Sequence, residues 1–218
     1  MRRLLALLIP AFLASPAMAS DEPAAAPAFD PNDPENIWYL DLSTGGRVKI
    51  LLRPDRAPKH VDRIRTLTRE GFYNGMVFHR VIEGFMAQTG DPTATGSGGS
   101  ALPDLKAEFN SLPHMRGAVS MARTSHPDSA NSQFFITFEP MLRLDRNYTV
   151  FGRVLEGMEW VDAIERGEPP PAPSRVLQAS IAADNVPPPA FPPPRRQDAG
   201  RALIDAEAAK LFGNQPPQ

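Results

Sequence analysis

Short runs of alternating apolar and polar residues, separated by Gly, Pro and Asn, dominate the middle of the chain. The runs Ile37–Leu42 and Arg47–Leu52 flank Ser43-Thr44-Gly45-Gly46, which is typical of a β-hairpin with a glycine-containing turn. Further strand-like runs lie at residues 77–89, 118–122, 133–138, 149–155 and 175–181. Short strands at this spacing indicate an antiparallel barrel or sandwich.

Two segments have apolar residues at the helical period instead. In residues 58–71 the apolar positions are Val61, Ile64 and Leu67, with Pro at the first position and Gly at the last. Residues 158–167 repeat this pattern over a shorter length and also end at Gly. The pattern therefore predicts a mainly β domain with about eight strands and two helices.

The start of the chain has the organisation of a secretory signal peptide. Two arginines precede an apolar run at residues 4–14, and Ala17-Met18-Ala19 has the small-x-small pattern that signal peptidase cleaves. The apolar run is about half the ~20 residues that span a bilayer, and Pro10 interrupts it. We therefore expect cleavage after Ala19, export to the periplasm and no stable membrane anchor.

Pro-rich segments flank the periodic region. Residues 20–36 predict a flexible spacer, residues 37–183 the folded domain, and residues 184–218 a Pro-rich, disordered tail. Apolar residues between 203 and 211 have helical spacing, which leaves a docking helix open as an alternative, although a short isolated helix is marginal in water.

Composition excludes several functional classes. The 218 residues have a net charge of -2 and no long Lys/Arg run, so nucleic acid is not an expected partner. The absence of Cys excludes disulfides and thiolate chemistry. His60, His79, His114 and His126 lack metal-ligand spacing and are interpreted as structural or solvated, so neither a metal nor another cofactor is expected.

The candidate chemistry begins at an arginine. If residues 78–82 form a strand, alternation places Arg80 on one face with Phe78 and Ile82. An Arg that reaches solvent from a strand edge is the simpler interpretation. However, Phe85-Met86-Ala87-Gln88 follows closely with an aromatic, a thioether and an amide side chain, and Ser132-Gln133-Phe134-Phe135 supplies further large apolar surface, which favours a binding site.

Four sequence blocks resemble, in order and spacing, those of the cyclophilins, a family of peptidyl-prolyl cis/trans isomerases. The blocks span residues 78–88, 120–122, 132–136 and 150–152. The resemblance covers residues 37–183 and is greatest to bacterial members, exported ones included. It implies a closed eight-stranded antiparallel β-barrel capped by two α-helices, and an enzyme that accelerates rotation about X-Pro bonds without a covalent intermediate.

The resemblance also implies residue roles. Arg80 would be catalytic, because a charged guanidinium can donate hydrogen bonds to the prolyl nitrogen and the substrate carbonyl as the bond twists. Gln88 would be the second catalytic residue and would orient Arg80 and the peptide. The implied substrate-binding residues are Phe85, Met86, Phe135, Leu144 and Tyr148 around the proline ring, and Ala122 and Arg123 along the extended peptide.

Two positions depart from the best-known members of this family. Arg143 stands where those members have a Trp that contacts cyclosporin, and Tyr148 stands where they have His. Arg143 is expected to weaken cyclosporin binding and to favour acidic substrate segments. The expected partners are proline-containing, unfolded or partly folded polypeptides, bound by a monomer. A non-catalytic peptide-binding module is the alternative, but such a module would not require Arg80.

Overall fold

A computed structural model describes residues 29–192 of the chain. The predicted signal peptide and the helical spacing at residues 203–211 lie outside this range. The strands are β1 (Ile37–Leu42), β2 (Arg47–Leu52), β3 (Arg80–Ile82), β4 (Met86–Thr89), β5 (Ala118–Met121), β6 (Phe134–Thr137), β7 (Val150–Glu156) and β8 (Val176–Ile181). The helices are α1 (Pro58–Arg69) and α2 (Met158–Asp162).

All eight strands belong to one antiparallel sheet, in the order β3-β4-β6-β5-β7-β2-β1-β8. β1 and β2 pair directly across the predicted glycine-containing turn. The sheet is curled, and its concave side encloses the core. The structure confirms the mainly β fold with eight strands and two helices.

The prediction of a closed barrel is wrong, because the ladder is not continuous between the edge strands β3 and β8. Residues 75–78 face residues 174–176 there, but within the described residues their pairing is the isolated bridge Val77↔Arg175. Hydrogen bonds cross this seam, including Gly75 N–H to Val176 O at 2.7 Å. Gly75 ends a turn with φ +80°, which prevents a regular extended strand. The sheet is therefore an open, curled half-barrel.

Aromatic rings fill the concave side of the sheet. Trp38 meets Phe134 and Tyr73 edge to face, with ring centroids 5.1 Å and 5.7 Å apart. α1 covers this core with the predicted apolar face, since Val61, Ile64 and Leu67 are all buried. The helical period of this segment was therefore a correct guide to its buried face.

The second helix is shorter than its pattern predicts. α2 ends at Asp162, although Val161 and Ile164 are both buried as expected. Gly167 does not cap a helix. It has φ +143° and forms an isolated bridge with Val81 of β3. The residues after α2 therefore run along the free edge of the sheet beside β3, and the helix ends before them.

The folded region begins before residue 37, within the predicted spacer. A one-turn 3-10 helix (Pro34–Asn36) precedes β1. Its Glu35 carbonyl accepts a hydrogen bond from Arg65 Nε at 3.0 Å, and its carboxylate pairs with Arg69 Nη2 at 2.7 Å. These contacts fix the segment against α1.

The folded region also extends beyond residue 183. Asp184 pairs with Arg69 at 2.9 Å, and the Gln178 side chain donates a hydrogen bond to Pro187 O at 2.9 Å. The first residues of the predicted tail thus contact β8 and α1. Within residues 29–192, no helix has the length and apolar character needed to cross a bilayer.

Candidate active site

Four side chains form a row across neighbouring strands on the convex face of the sheet. The register pairs Arg80 with Gln88, Gln88 with Phe135, and Phe135 with Ser120. Directly paired residues in a sheet project to the same face. Their neighbours along the strands, such as Val81, belong to the core on the opposite face. The backbone register therefore brings the predicted Arg, Gln and Phe together.

Phe78 does not share the face of Arg80, contrary to the sequence prediction. Arg80 and Ile82 are partly exposed, whereas Phe78 is fully buried in the core together with Val81. The reason is that β3 begins only at Arg80, and Phe78 lies in the irregular seam, where its N–H donates to Ser174 O at 2.9 Å. Strict alternation does not extend across that boundary.

Arg80 has an acidic partner that is not evident from the sequence. Its Nε donates to Glu168 Oε2 at 2.7 Å, and about half of each side chain is exposed (43% and 50%). Glu168 lies 88 positions further along the chain. Its proximity depends on the bridge between β3 and Gly167, for which the sequence contains no local signal.

The predicted orienting role of Gln88 would require a hydrogen bond to Arg80, but the Gln88 side chain bonds to Gln133, which in turn bonds to the glycine-rich loop at residues 96–99. Its Nε2 donates to Gln133 Oε1 at 2.8 Å. Gln133 Nε2 in turn donates to Gly96 O at 3.0 Å and Gly98 O at 2.8 Å. Gln88 is therefore restrained by Gln133, whereas Arg80 is hydrogen-bonded to Glu168 on the other side of β3.

Asp91 organises this loop. Its buried carboxylate accepts hydrogen bonds from Thr93 N–H and Oγ1 and from the backbone N–H groups of Thr95, Gly96 and Gly98, at 2.6 to 3.1 Å. Desolvation raises the pKa of Asp91, but the hydrogen bonds outweigh it and lower the pKa to about 2. The loop is thus built around a carboxylate that is ionised at neutral pH.

Tyr148 contacts the Phe135 ring, and the other predicted apolar residues are buried or half-buried. Phe135 is 5% exposed and meets Tyr148 edge to face at 5.8 Å. Met86 is almost fully buried, and Phe85 and Leu144 are half-buried. The Phe85 ring lies 5.1 Å beneath the guanidinium of Arg143. These residues form an apolar surface, here called the Phe135 surface, and Arg143 places a cation at its rim.

His114 supports the Phe135 ring from behind. The two rings are stacked, with centroids 6.1 Å apart, and His114 Nδ1 lies 2.8 Å from Asp145 Oδ1. Burial lowers the pKa of His114, although Asp145 acts in the opposite direction. A neutral ring therefore donates to Asp145, in agreement with the structural role predicted for this histidine.

Ser120, His114 and Asp145 have the connectivity of a hydrolase triad but not its accessibility. Ser120 Oγ is 3.1 Å from His114 Nε2 and 3.0 Å from Thr149 O, and the residue is fully buried. A substrate carbonyl cannot approach this hydroxyl, so nucleophilic catalysis there is excluded. Residues 29–192 also contain no group of three or more His, Asp or Glu positioned to bind a metal.

A groove of about 490 Å³ continues from Gln88 along the glycine-rich loop. Ala122 and Arg123, the two residues expected to bind the extended peptide, are among its lining residues. The Ala122 N–H already donates to Gln133 O at 2.9 Å. The Arg123 guanidinium donates to Asn147 O at 2.8 Å and lies 4.5 Å above the Tyr148 ring. Arg123 therefore shapes the groove by bracing Tyr148 as well as by lining it.

Known proteins are similar to this chain in sequence and in fold. Residues 39–181 match the family model described as "Cyclophilin type peptidyl-prolyl cis-trans isomerase/CLD". A probable peptidyl-prolyl cis-trans isomerase of Brucella suis biovar 1 (strain 1330) is 49% identical over 168 residues, covering 70% of this chain and 85% of the relative. Peptidyl-prolyl cis-trans isomerase-like 3 of Homo sapiens is 45% identical over 125 residues, covering 56% and 77%.

Solved structures with a similar fold belong to proteins of the same type. The crystal structure of cyclophilin AquaCyp293 from Hirschia baltica matches with a TM-score of 0.66 and 33% identity, covering 71% of this chain and 77% of that one. A cyclophilin-type isomerase of Cryptosporidium parvum, crystallised in the presence of the dipeptide Ala-Pro, matches with a TM-score of 0.63 and 29% identity, covering 66% and 98%.

Proposed function

The chain belongs to the cyclophilin-type peptidyl-prolyl cis/trans isomerases, and from this premise we propose that Arg80 carries its catalysis of X-Pro rotation. The observation that supports this role is the row across the sheet, in which Arg80 stands beside Gln88 and the Phe135 surface. The isomerase activity itself follows from family membership. The proposed role of Arg80 explains how this chain catalyses the reaction.

The physical problem is a barrier of ~18 to 20 kcal/mol, because the prolyl nitrogen shares its lone pair with the carbonyl. Arg80 has five N–H donors, of which the hydrogen bond to Glu168 occupies one. A remaining donor aimed at the prolyl nitrogen localises the lone pair as the bond twists. Every ~1.4 kcal/mol gained in the twisted state increases the rate tenfold. No group forms or breaks a covalent bond.

In this proposal the proline ring lies against Phe135, with Phe85, Met86, Leu144 and Tyr148 around it, and the preceding residues follow the groove. Gln88 lies between Arg80 and Phe135, where its side chain can bind the peptide backbone. Its hydrogen bond to Gln133 restricts its rotamers before the peptide arrives, which lowers the entropic cost of binding. Gln88 is therefore a positioning residue for the peptide.

A decisive test replaces Arg80 in the mature protein and measures exchange of a short Ala-Pro peptide. Arg80→Ala should lower kcat/KM by about 100-fold, the order expected for loss of a key donor to the twisted state. Its melting temperature should change little, because the side chain is partly exposed. Arg153→Ala, at an exposed position on β7, is the matched control. Wild-type activity in Arg80→Ala would refute the proposal.

We also propose that the protein acts in the periplasm on exported polypeptides and is a monomer there. The signal-peptide pattern of residues 1–19 supports this location, and the lack of Cys is compatible with an oxidising compartment. Expression of the full chain, followed by cell fractionation and N-terminal sequencing, should give a periplasmic protein that begins at Ser20. A full-length cytoplasmic product would contradict the location.

A further inference from the structure

Glu168 is fixed to the free edge of the sheet by the backbone. β3 pairs with β4 on one side, and on the other side Val81 forms a bridge with Gly167. Val81 N–H donates to Gly167 O at 2.8 Å, and Gly167 N–H donates to Val81 O at 2.9 Å. In an antiparallel bridge the residue before one partner faces the residue after the other. The backbone alone thus places Arg80 opposite Glu168.

The chain that follows Glu168 restricts this segment further. Residues 169–171 are three consecutive prolines, whose φ angles are locked. The Glu168 carboxylate is therefore presented from a stiff segment that is hydrogen-bonded to β3 on one side and Pro-rich on the other. Such a support limits how far the carboxylate can follow a moving arginine.

The contact uses the inner nitrogen of the guanidinium. Glu168 Oε2 accepts from Arg80 Nε at 2.7 Å, which leaves both terminal amino groups for other acceptors. Glu168 lies on the side of Arg80 that is opposite Gln88, so the carboxylate is behind the guanidinium and the Phe135 surface is in front. The hydrogen bond restrains the guanidinium plane without covering the side that faces the row.

We propose that Glu168 is a positioning residue that holds the Arg80 guanidinium towards the bound prolyl bond. This inference rests on the proposed function of Arg80. Arginine remains charged with or without a partner, so Glu168 acts on its orientation and not on its protonation. A free Arg side chain populates many rotamers, several of which point into solvent. Removing Glu168 lowers the fraction of molecules in which Arg80 is aimed correctly.

The molecule contains a matched control for this experiment. Glu83 pairs with Arg166 at 2.7 Å, and this pair flanks the Val81–Gly167 bridge on its other side. Both ion pairs join the β3 region to the same returning segment and both are exposed, but the Glu83 pair does not involve Arg80. Substitutions at Glu83 and Glu168 each remove one ion pair beside the bridge, but only Glu168 contacts Arg80.

The variants Glu168→Ala, Glu168→Gln and Glu83→Ala would be assayed on a short Ala-Pro peptide, with kcat and KM separated. Glu168→Ala should lower kcat about three- to fivefold, the scale of an exposed ion pair, with KM nearly unchanged. Glu168→Gln should recover part of the loss, because its amide oxygen still accepts from Nε. Glu83→Ala should retain wild-type kcat. Thermal melts should show equal, small shifts for Glu168→Ala and Glu83→Ala.

A double-mutant cycle with Arg80→Lys tests whether Glu168 acts through the guanidinium. In the Arg80→Lys background, Glu168→Ala should have no further effect on kcat. Equal or higher activity in Glu168→Ala alone, or an undiminished loss in the Arg80→Lys background, would overturn the inference. If Arg80→Ala is inactive and Glu168→Ala is fully active, only this inference fails. If Arg80→Ala is active, the proposed function of Arg80 fails as well.

Discussion

At the rim of the apolar surface, Arg143 presents a cation directly beside the position proposed for the proline ring. Its guanidinium stacks over Phe85 at 5.1 Å, its side chain is exposed, and no salt bridge forms to it within residues 29–192. A stacked guanidinium retains its outward N–H donors. Arg143 therefore offers an unshared positive charge to whichever substrate residue adjoins the proline.

Peptides with a glutamate next to the proline should consequently be better substrates than their glutamine counterparts. We expect kcat/KM to be about two- to fivefold higher for the glutamate peptide, in keeping with an exposed charge pair. Arg143→Gln should remove the difference, and Arg146→Gln, a nearby exposed arginine, should retain most of it. The preference should also shrink as salt increases. Equal rates for both peptides in the wild type would contradict the prediction.

Most of the other site residues were predicted from the sequence blocks that carry them. Arg80, Phe135 and their neighbours lie in short contiguous motifs, so the sequence identified them. Glu168 and His114 lie in segments without such motifs, and they reach the site through the bridge at Gly167 and the hydrogen bond to Asp145. The sequence therefore identifies the groups that face the substrate better than the groups that support them.

At the scale of elements, the glycine-rich loop depends on one carboxylate. Asp91→Asn replaces one acceptor oxygen with an amide that cannot accept hydrogen bonds, leaving N–H groups around it unsatisfied. We expect a loss of about 2 to 3 kcal/mol in the free energy of unfolding. KM should increase, because Gly96 and Gly98 also hold Gln133.

Denaturant unfolding of Asp91→Asn and of Asp128→Asn would check this expectation. Asp128 is exposed and accepts one backbone hydrogen bond, from Ala107 at 2.8 Å, so its amide variant should stay within about 0.5 kcal/mol of the wild type. The pKa of Asp91 near 2, below the unfolded value, gives a further test. Its contribution should be complete above about pH 4 and should be lost as the pH falls through 2.

Element boundaries were predictable where one period governed the whole segment. α1 has a Pro start and a single apolar face, and the predicted helix is present. Near β3 and α2 the pattern failed, because the buried residues Phe78 and Ile164 lie in irregular chain beside the open seam. Burial there is dictated by the way residues 163–178 return to the sheet edge. A local period cannot encode that return.

At the scale of the whole molecule, buried histidines link stability to pH. Burial lowers the pKa of His60, His79 and His114, and nearby carboxylates oppose this effect without overcoming it. The unfolded chain binds protons at about pH 6.5, whereas the folded chain resists them to lower pH. Below 6.5 the unfolded state therefore binds more protons, and the free energy of unfolding falls.

We therefore expect the melting temperature to decrease as the pH is lowered from about 7.5 to about 5.5, and to be nearly constant above about 7. Differential scanning calorimetry across this range measures the effect directly. A double variant, His60→Gln with His114→Gln, should show a shallower decrease, whatever its starting stability. A melting temperature that rises on acidification would show that the carboxylate partners dominate the pKa values of these histidines.

The sheet keeps the residues that stabilise the fold apart from those proposed to act on the substrate. Its concave face holds the aromatic core, and its convex face carries the row from Arg80 to Phe135. Arg143 and Glu168 lie at exposed positions around the row, so a substitution there changes surface contacts and not the packing of the core. Such substitutions usually alter stability by less than about 0.5 kcal/mol. Surface substitutions can therefore change which prolyl segments are bound without compensating substitutions in the core. One scaffold can in this way give rise to paralogues with different substrates.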